Sequence, residues 1–204
     1  MATVVATVGA TEPTGAGGNA ESDDEPIAEP PRIRVRGTWW RITRGDSDPL
    51  FWSTEPADGR WQRGSVVRAL YLGDSEATVW AEWYRHTSEA GVPPQQRLPR
   101  AIWRIEVDVD DIADLTAPGI LAGEGIVRLD PTRRQWPKTQ PIGETCWREG
   151  ARGALAPAAA REGGRVLAIF RPKNGPTDEV PGVVAVPPPK RFTTLPALPP
   201  GLRT

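Results

Sequence analysis

The stretch that most constrains the fold of this chain is residues 58–86, which combine a turn, a strand and a helix. The apolar run at residues 66–72 is short, β-branched and aromatic, and it stops at Gly73-Asp74, so it predicts a strand. Asp74 or Ser75 can then cap a helix, because either side chain can accept a hydrogen bond from the first free N–H groups. The stretch is therefore predicted to be one strand–turn–helix unit.

Side chains that can bind a phosphorylated sugar lie on this unit. Four residues share one face of the predicted helix at the spacing of a 3.6-residue period, namely Ala77, Trp80, Trp83 and Tyr84. Glu82 lies at the edge of that face. Arg60 precedes the strand and Tyr71 lies within it, so an arginine, a tyrosine and a carboxylate are placed on neighbouring elements. Such an arrangement can hold a sugar phosphate.

Outside this unit the patterns predict more strands than helices. Strands are predicted at residues 38–43, 101–109, 154–156 and 166–170, a helix at 139–151, a short helix at 110–115 and an extended piece at 125–130. The strands are not regularly followed by helices. This order favours an α+β fold over a doubly wound α/β fold.

Composition divides the 204 residues into one compact domain and two tails. Residues 1–31 contain six acids and no Lys, Arg or aromatic residue, so they are predicted to be a disordered leader. Residues 172–204 are rich in proline and are predicted to be an extended or disordered tail. Residues 32–171 are long enough to form a single core. Without the acidic leader the chain is only mildly basic, unlike a dedicated DNA-binding protein.

The single cysteine, Cys146, excludes an internal disulfide and a cysteine-rich metal site. A lone cysteine fits a reducing compartment, and no apolar run reaches the ~18 residues of a membrane helix. We therefore expect a cytoplasmic protein that has no membrane partner. With one histidine in the chain we expect no metal site.

A succession of motifs resembles the RES domain family, the toxins of bacterial RES–Xre toxin–antitoxin modules. The motifs are WWRIT, GRW, ALYLGDSEATVWAEWYRH, TQPIGETCWREGARGALAPAAA and VLAIF, and they span about residues 36–171. The polar positions of the family pattern correspond to Arg41, Arg60, Tyr71 and Glu82. Where the family has Pro-Ser, this chain has Pro157-Ala158.

The resemblance implies a single domain similar to the ADP-ribosyltransferases, with a mixed, mostly antiparallel sheet. It also implies an enzyme that consumes NAD⁺ as its substrate and needs no other cofactor. Members of the family hydrolyse or phosphorolyse NAD⁺, or transfer ADP-ribose to a protein. The implied partners are NAD⁺, an Xre-type antitoxin that covers the site, and a target protein where ADP-ribose is transferred.

Each residue of the pattern suits a step in cleaving the nicotinamide–ribose bond, which passes through an oxocarbenium-like cation. Arg41 and Arg60 can bind the pyrophosphate through the guanidinium fork. Tyr71 can stack on the nicotinamide ring, and the Glu82 carboxylate can stabilise the cation. A serine at position 158 would donate a hydrogen bond to the nicotinamide amide or a ribose oxygen, a contact that Ala158 cannot make.

Two other functions remain open on the residues alone. Nine tryptophans, many of them beside arginine, could form stacking platforms for single-stranded nucleic acid. Against this, Trp80, Trp83 and Trp103 lie on the apolar sides of their predicted elements, so we expect no direct nucleic-acid partner. The second alternative is a catalytically impaired RES-like binding module, for which Ala158 is the only sequence indication.

Overall fold

The computed structural model describes residues 29–45, 47–174 and 180–203, so nearly all of the predicted acidic leader lies outside it. The strands are β1 (Arg32–Arg44), β2 (Val67–Gly73), β3 (Arg100–Asp114), β4 (Gly153–Pro157), β5 (Arg165–Pro172) and β6 (Val183–Phe192). The helices are α1 (Glu76–Glu89), α2 (Ile120–Gly123) and α3 (Trp136–Arg148), with 3₁₀ turns at Pro94–Arg97 and Arg133–Gln135. None of the helices within these ranges is long and apolar enough to cross a membrane.

The strands form one sheet that closes on itself. Along the sheet β2 pairs with β5, β5 with β4, β4 with β3 and β3 with β1, and β6 adds to β3. All pairs are antiparallel except β3 with β4. Trp40 of β1 also meets Gly73 of β2, which closes the sheet into a barrel. The predicted α+β class, with a mixed and mostly antiparallel sheet, is confirmed.

The core follows from the alternation of side chains along the long strands. On β3 the residues Ile105, Val107 and Val109 are buried in the main cluster, whereas the acidic residues between them are exposed. Ile102, on the other face of β3, packs with Trp80 and Trp83 of α1. A further cluster lies beneath α3. The barrel is thus filled inside and covered by one helix on each of two sides.

The strand–turn–helix unit forms as predicted. Ser75 is the N-cap of α1, and its Oγ accepts a hydrogen bond from the Thr78 amide at 3.1 Å. Asp74 accepts from the Thr78 hydroxyl at 2.6 Å and from the Arg165 amide at 2.9 Å, which ties the start of α1 to β5. These bonds fix the direction of α1 across the open end of β2.

The boundary predicted after residue 171 is wrong for the C-terminal segment. Residues 183–192 form β6, which pairs with β3, and Phe192 packs edge-on against Trp80 with ring centroids 5.1 Å apart. The proline run fits because β6 is an edge strand and its register with β3 shifts between Ile102 and Arg104, opposite these prolines. Proline is tolerated at edges and irregularities, where no ladder N–H is needed.

Two smaller predictions were also wrong. Residues 110–114, predicted as a short helix, continue β3, because pairing with β1 and β4 outweighs the local preference. Residues 125–130, predicted as a short extended piece, form an irregular connection that contains turns.

An ion pair between a buried carboxylate and a half-exposed arginine attaches α3 to the turn at residues 58–64. The Glu144 carboxylate is fully buried and accepts from the Arg63 amide at 2.9 Å and from Arg63 Nε at 2.8 Å. Gln140 donates to the Gly59 carbonyl at 3.0 Å. A Cβ at Gly143 would lie 2.1 Å from the Trp61 carbonyl oxygen, so only glycine permits this close approach. The turn is therefore held by one face of α3.

We predict that Glu144→Gln destabilises the protein by about 2 kcal/mol, because charge-assisted hydrogen bonds to a buried group are lost. The Arg63 guanidinium holds the pKa of Glu144 below its usual range. This stabilisation is therefore present above about pH 4.3 and is lost as the pH falls through the lower folded pKa. Urea unfolding at pH 7 and at acid pH measures it. Glu149→Gln, at the exposed end of the same helix, is the control, and equal stabilities of the two variants at pH 7 would contradict the prediction.

Candidate active site

A cleft of about 340 Å³ opens between α1, β2, the turn at residues 58–61 and the segment after β4. Its volume is in the range of small-molecule sites. Arg41, Arg60, Tyr71 and Glu82 all line it, although they come from four different elements. The structure therefore brings together four of the five residues predicted to form the site.

Glu82 points into the cleft from α1. Its Oε1 accepts a hydrogen bond from the Ala160 amide at 3.0 Å, and its Oε2 accepts from Arg85 Nε at 3.2 Å. The side chain retains 26% exposure. Glu82 thus forms an ion pair with Arg85, one turn along the helix. The carboxylate is oriented by two donors and remains open to a ligand.

Tyr71 presents its ring to the cleft but uses its hydroxyl elsewhere. The hydroxyl donates to Gln62 Oε1 at 2.6 Å and accepts from the Trp61 amide at 3.1 Å. Burial raises the pKa of Tyr71. A Cβ at Gly59 would lie 2.3 Å from this hydroxyl, so the turn requires glycine there. The hydroxyl therefore fixes the turn, and the ring face is what a ligand meets.

The Arg60 guanidinium binds a neighbouring loop and also lines the cleft. Its Nη2 donates to the Asp130 carbonyl at 2.7 Å and to the Pro131 and Thr132 carbonyls at 3.3 Å each. Its Nη1 is buried and has no hydrogen-bond partner in the described part of the chain. Burial lowers the pKa of Arg60. One nitrogen thus holds a loop, and the other is buried without a partner in the described residues, in a side chain that lines the cleft.

Arg41 lies on β1 at one end of the cleft, and its Nη1 is likewise buried and unpartnered among residues 29–45, 47–174 and 180–203. Burial lowers the pKa of Arg41 to about 10, so the guanidinium stays protonated at neutral pH. A buried cation without a partner is unfavourable, and an anion bound in the cleft would relieve that cost.

Ala158 does not line the cleft. Its neighbours Pro157 and Ala159 do, whereas Ala158 faces a separate cavity that is also lined by Arg161 and Arg203. The residue after β4 therefore turns away from the other predicted residues. The prediction that a side chain at position 158 contacts the ligand is not supported by this geometry.

Other residues that line the cleft have no role in the family pattern, among them Arg85, His86 and Trp136. Arg85 is 12% exposed and bridges Glu82 and Glu89, and its i,i+3 spacing from Glu82 could have revealed it. Burial lowers the pKa of His86. Trp136 begins α3, and its buried Nε1 has no partner within the described ranges. Within these ranges no group of potential metal ligands lies together.

Comparison with known proteins identifies relatives of matching length. A probable NAD(+) phosphorylase of Mycobacterium tuberculosis is 30% identical over 182 residues, covering 85% of this chain and 84% of the relative. The NAD(+) phosphorylase MbcT of Mycobacterium bovis is 32% identical over 143 residues, covering 65% of this chain and 76% of MbcT.

The fold also matches a solved structure. The M. tuberculosis MbcT–MbcA toxin–antitoxin complex contains a chain with a TM-score of 0.66 and 24% identity, covering 79% of this chain and 87% of that one. The family model described as the RES domain matches residues 38–190, which includes most of β6 as well as the cleft. This chain belongs to the RES domain family.

Proposed function

We propose that this protein is a toxin that cleaves NAD⁺ at the nicotinamide–ribose bond, with inorganic phosphate as the acceptor. The names of two relatives, both NAD(+) phosphorylases, support the substrate and the acceptor. The match to a chain of a toxin–antitoxin complex supports the fold on which such an activity is built.

One observation carries the proposal. Arg41 and Arg60 each present a buried guanidinium nitrogen without a partner in the described residues, and both line the cleft that contains Glu82. Guanidinium groups bind phosphate oxygens strongly, and their unmet donors favour an anionic ligand. A cleft that combines these two guanidinium groups with the carboxylates of Glu82 and Asp58 fits a substrate that has a pyrophosphate at one end and a cationic ring at the other.

The reaction assigns a separate task to each group. An oxygen of inorganic phosphate forms a bond to C1 of the nicotinamide-bearing ribose, the C–N bond breaks, and nicotinamide leaves as a neutral base with the bonding electrons. The products are nicotinamide and ADP-ribose 1″-phosphate. Glu82 stabilises the positive charge that develops on the ribose, and the ring of Tyr71 stacks on nicotinamide.

The geometry disfavours both alternative functions, which are single-stranded nucleic-acid binding and a catalytically impaired binding module. None of the nine tryptophans is exposed, and five of them are buried, so they offer no stacking platform to a nucleic acid. The case for an impaired module rested on Ala158, which lies outside the cleft. Neither observation argues against an NAD⁺-cleaving enzyme.

The proposal includes the partner and the location. A cognate antitoxin of the Xre type would neutralise the enzyme by covering the mouth of the cleft, which lies at the surface where Glu82 and Arg85 are partly exposed. The cytoplasm supplies NAD⁺ and phosphate, and a reducing compartment suits the free, buried Cys146. Transfer of ADP-ribose to a protein is the competing outcome that product analysis would reveal.

The purified protein should convert NAD⁺ to nicotinamide and ADP-ribose 1″-phosphate when phosphate is present. Chromatography and mass spectrometry of the products, with phosphate and in a phosphate-free buffer, measure this. Turnover that needs no phosphate and yields ADP-ribose would make the enzyme a hydrolase. No loss of NAD⁺ in either buffer would refute the proposed function.

Glu82→Gln should lower kcat on the order of 10²–10³-fold, because it removes one preorganised charge and keeps the side-chain shape. The amide oxygen can still accept from the Ala160 amide, so we expect the fold to survive. Glu76→Gln is the matched control, since Glu76 lies on the same helix and pairs with Lys190 outside the cleft. A Glu82→Gln enzyme as fast as the wild type would exclude the role.

Arg41→Lys should raise the KM for NAD⁺ by about tenfold or more, because an ammonium group cannot reproduce the bidentate fork on a phosphate. Arg36→Lys on the same strand is the control, as its side chain is 80% exposed. Steady-state kinetics with NAD⁺ as the varied substrate give both values. An unchanged KM in a folded Arg41→Lys protein would place the phosphate site elsewhere.

A further inference from the structure

A second cavity, of about 470 Å³, lies beside the active-site cleft, on the other side of Arg41. Its walls come from β1, from the first residue of β3 and from the loop at residues 47–51. Arg41 and Ile42 line both cavities, so the two spaces share a wall. We call the second cavity the β1 groove. The β1 groove has no role in the proposed reaction at C1 of the ribose.

The β1 groove is rich in arginine. Among the described residues Arg41, Arg44 and Arg100 line it, against one carboxylate, Asp48. Asp48 already accepts a hydrogen bond from the Leu50 amide at 2.8 Å. The cations therefore outnumber the acids, and the groove has a net positive charge that attracts anions.

Arg100, like Arg41 and Arg60, has a buried guanidinium nitrogen without a hydrogen-bond partner in the described part of the chain. Its Nε is buried and has no partner among the described residues. Burial, together with the nearby charges of Arg44 and Arg97, lowers the pKa of Arg100. Its guanidinium stacks on the ring of Trp83 at 5.5 Å, and Trp83 lines the active-site cleft. The contact between Arg100 and Trp83 therefore joins the walls of the groove and the cleft at a second place, in addition to Arg41.

The groove also has an aromatic wall open to solvent. Phe51 is 65% exposed and is one of the few large apolar side chains at the surface of the described residues. It lines the groove together with Ser47. An exposed ring beside a cluster of guanidinium groups suits a ligand that combines a flat base with phosphate groups.

We propose that the β1 groove binds the ADP half of NAD⁺, with Arg100 and Arg41 on the pyrophosphate and Phe51 stacked on the adenine. This inference rests on the proposed function, because it gives a binding site to the ADP half of NAD⁺, which takes no part in bond cleavage. The cleft then holds the nicotinamide ribose between Tyr71 and Glu82. Arg41, at the shared wall, lies where the two halves of the dinucleotide meet.

Titration with ADP alone, followed by calorimetry, isolates this half of the substrate. Arg100→Gln should weaken ADP binding by about tenfold to a hundredfold, the range for a lost charge-assisted hydrogen bond. Phe51→Ala should weaken it by about tenfold, the size of a base–aromatic stack. The KM for NAD⁺ should rise in parallel, while kcat at saturating NAD⁺ stays within about twofold.

Each variant has a matched control. Arg104→Gln removes an exposed arginine from the same strand as Arg100, outside the groove, and Leu198→Ala removes another exposed apolar side chain. Phe51 is mostly exposed, so its variant should fold even where Arg100→Gln does not. Both controls should bind ADP like the wild type.

ADP binding that is absent in the wild type, or unchanged in both groove variants, overturns the inference. A rise in the KM for phosphate in place of the KM for NAD⁺ also overturns it, because the groove would then serve the acceptor. Failure of the proposed function looks different. A wild-type protein that binds ADP through Arg100 and Phe51 but consumes no NAD⁺ would keep the groove and reject the reaction.

Discussion

The fixed turn at residues 58–64 is the constraint on which the rest of the site depends, and the Glu144–Arg63 pair is what fixes it. A fully buried carboxylate is tolerated there because Arg63 supplies both an amide and a guanidinium donor. Once the turn is fixed, the Trp61 amide meets the Tyr71 hydroxyl, and Arg60 reaches the carbonyls at residues 130–132. Although α3 forms little of the wall of the cleft, it thus positions two side chains that line it, Arg60 and Tyr71.

The site departs from the usual rule that buried polar atoms are satisfied. In the described residues five buried side-chain nitrogens have no hydrogen-bond partner, and three of them belong to the guanidinium groups of Arg41, Arg60 and Arg100, the other two to the indoles of Trp52 and Trp136. Such atoms lower the stability of the free protein. The common location of the three guanidinium groups, along one cleft and the groove that adjoins it, is what a binding surface for a polyanion requires. The local cost is then offset when the ligand binds.

Sequence patterns predicted the strand–turn–helix unit, the Ser75 cap and the meeting of Arg41, Arg60, Tyr71 and Glu82, because local periodicity and the family pattern agree there. They missed β6, because its prolines read as a tail until the edge position and shifted register are known. They could not show that half of Arg60 is structural, or that Ala158 turns away, since both depend on loops whose direction is set by distant contacts.

The hydrogen bonds of the cleft also bear on which acceptor takes the ribose. A water molecule must lose a proton as it attacks, and so benefits from a general base. The Glu82 carboxylate already accepts from the Ala160 amide and from Arg85, and the Tyr71 hydroxyl is committed to Gln62 and Trp61. In the proposed reaction Glu82 and Tyr71 stabilise charge and bind the ring, and neither is required to move a proton. A phosphate ion is nucleophilic without deprotonation and needs cations to hold it, and the cleft that contains Glu82 is lined by the arginines Arg41, Arg60 and Arg85. These contacts support the proposed use of phosphate, rather than water, as the acceptor.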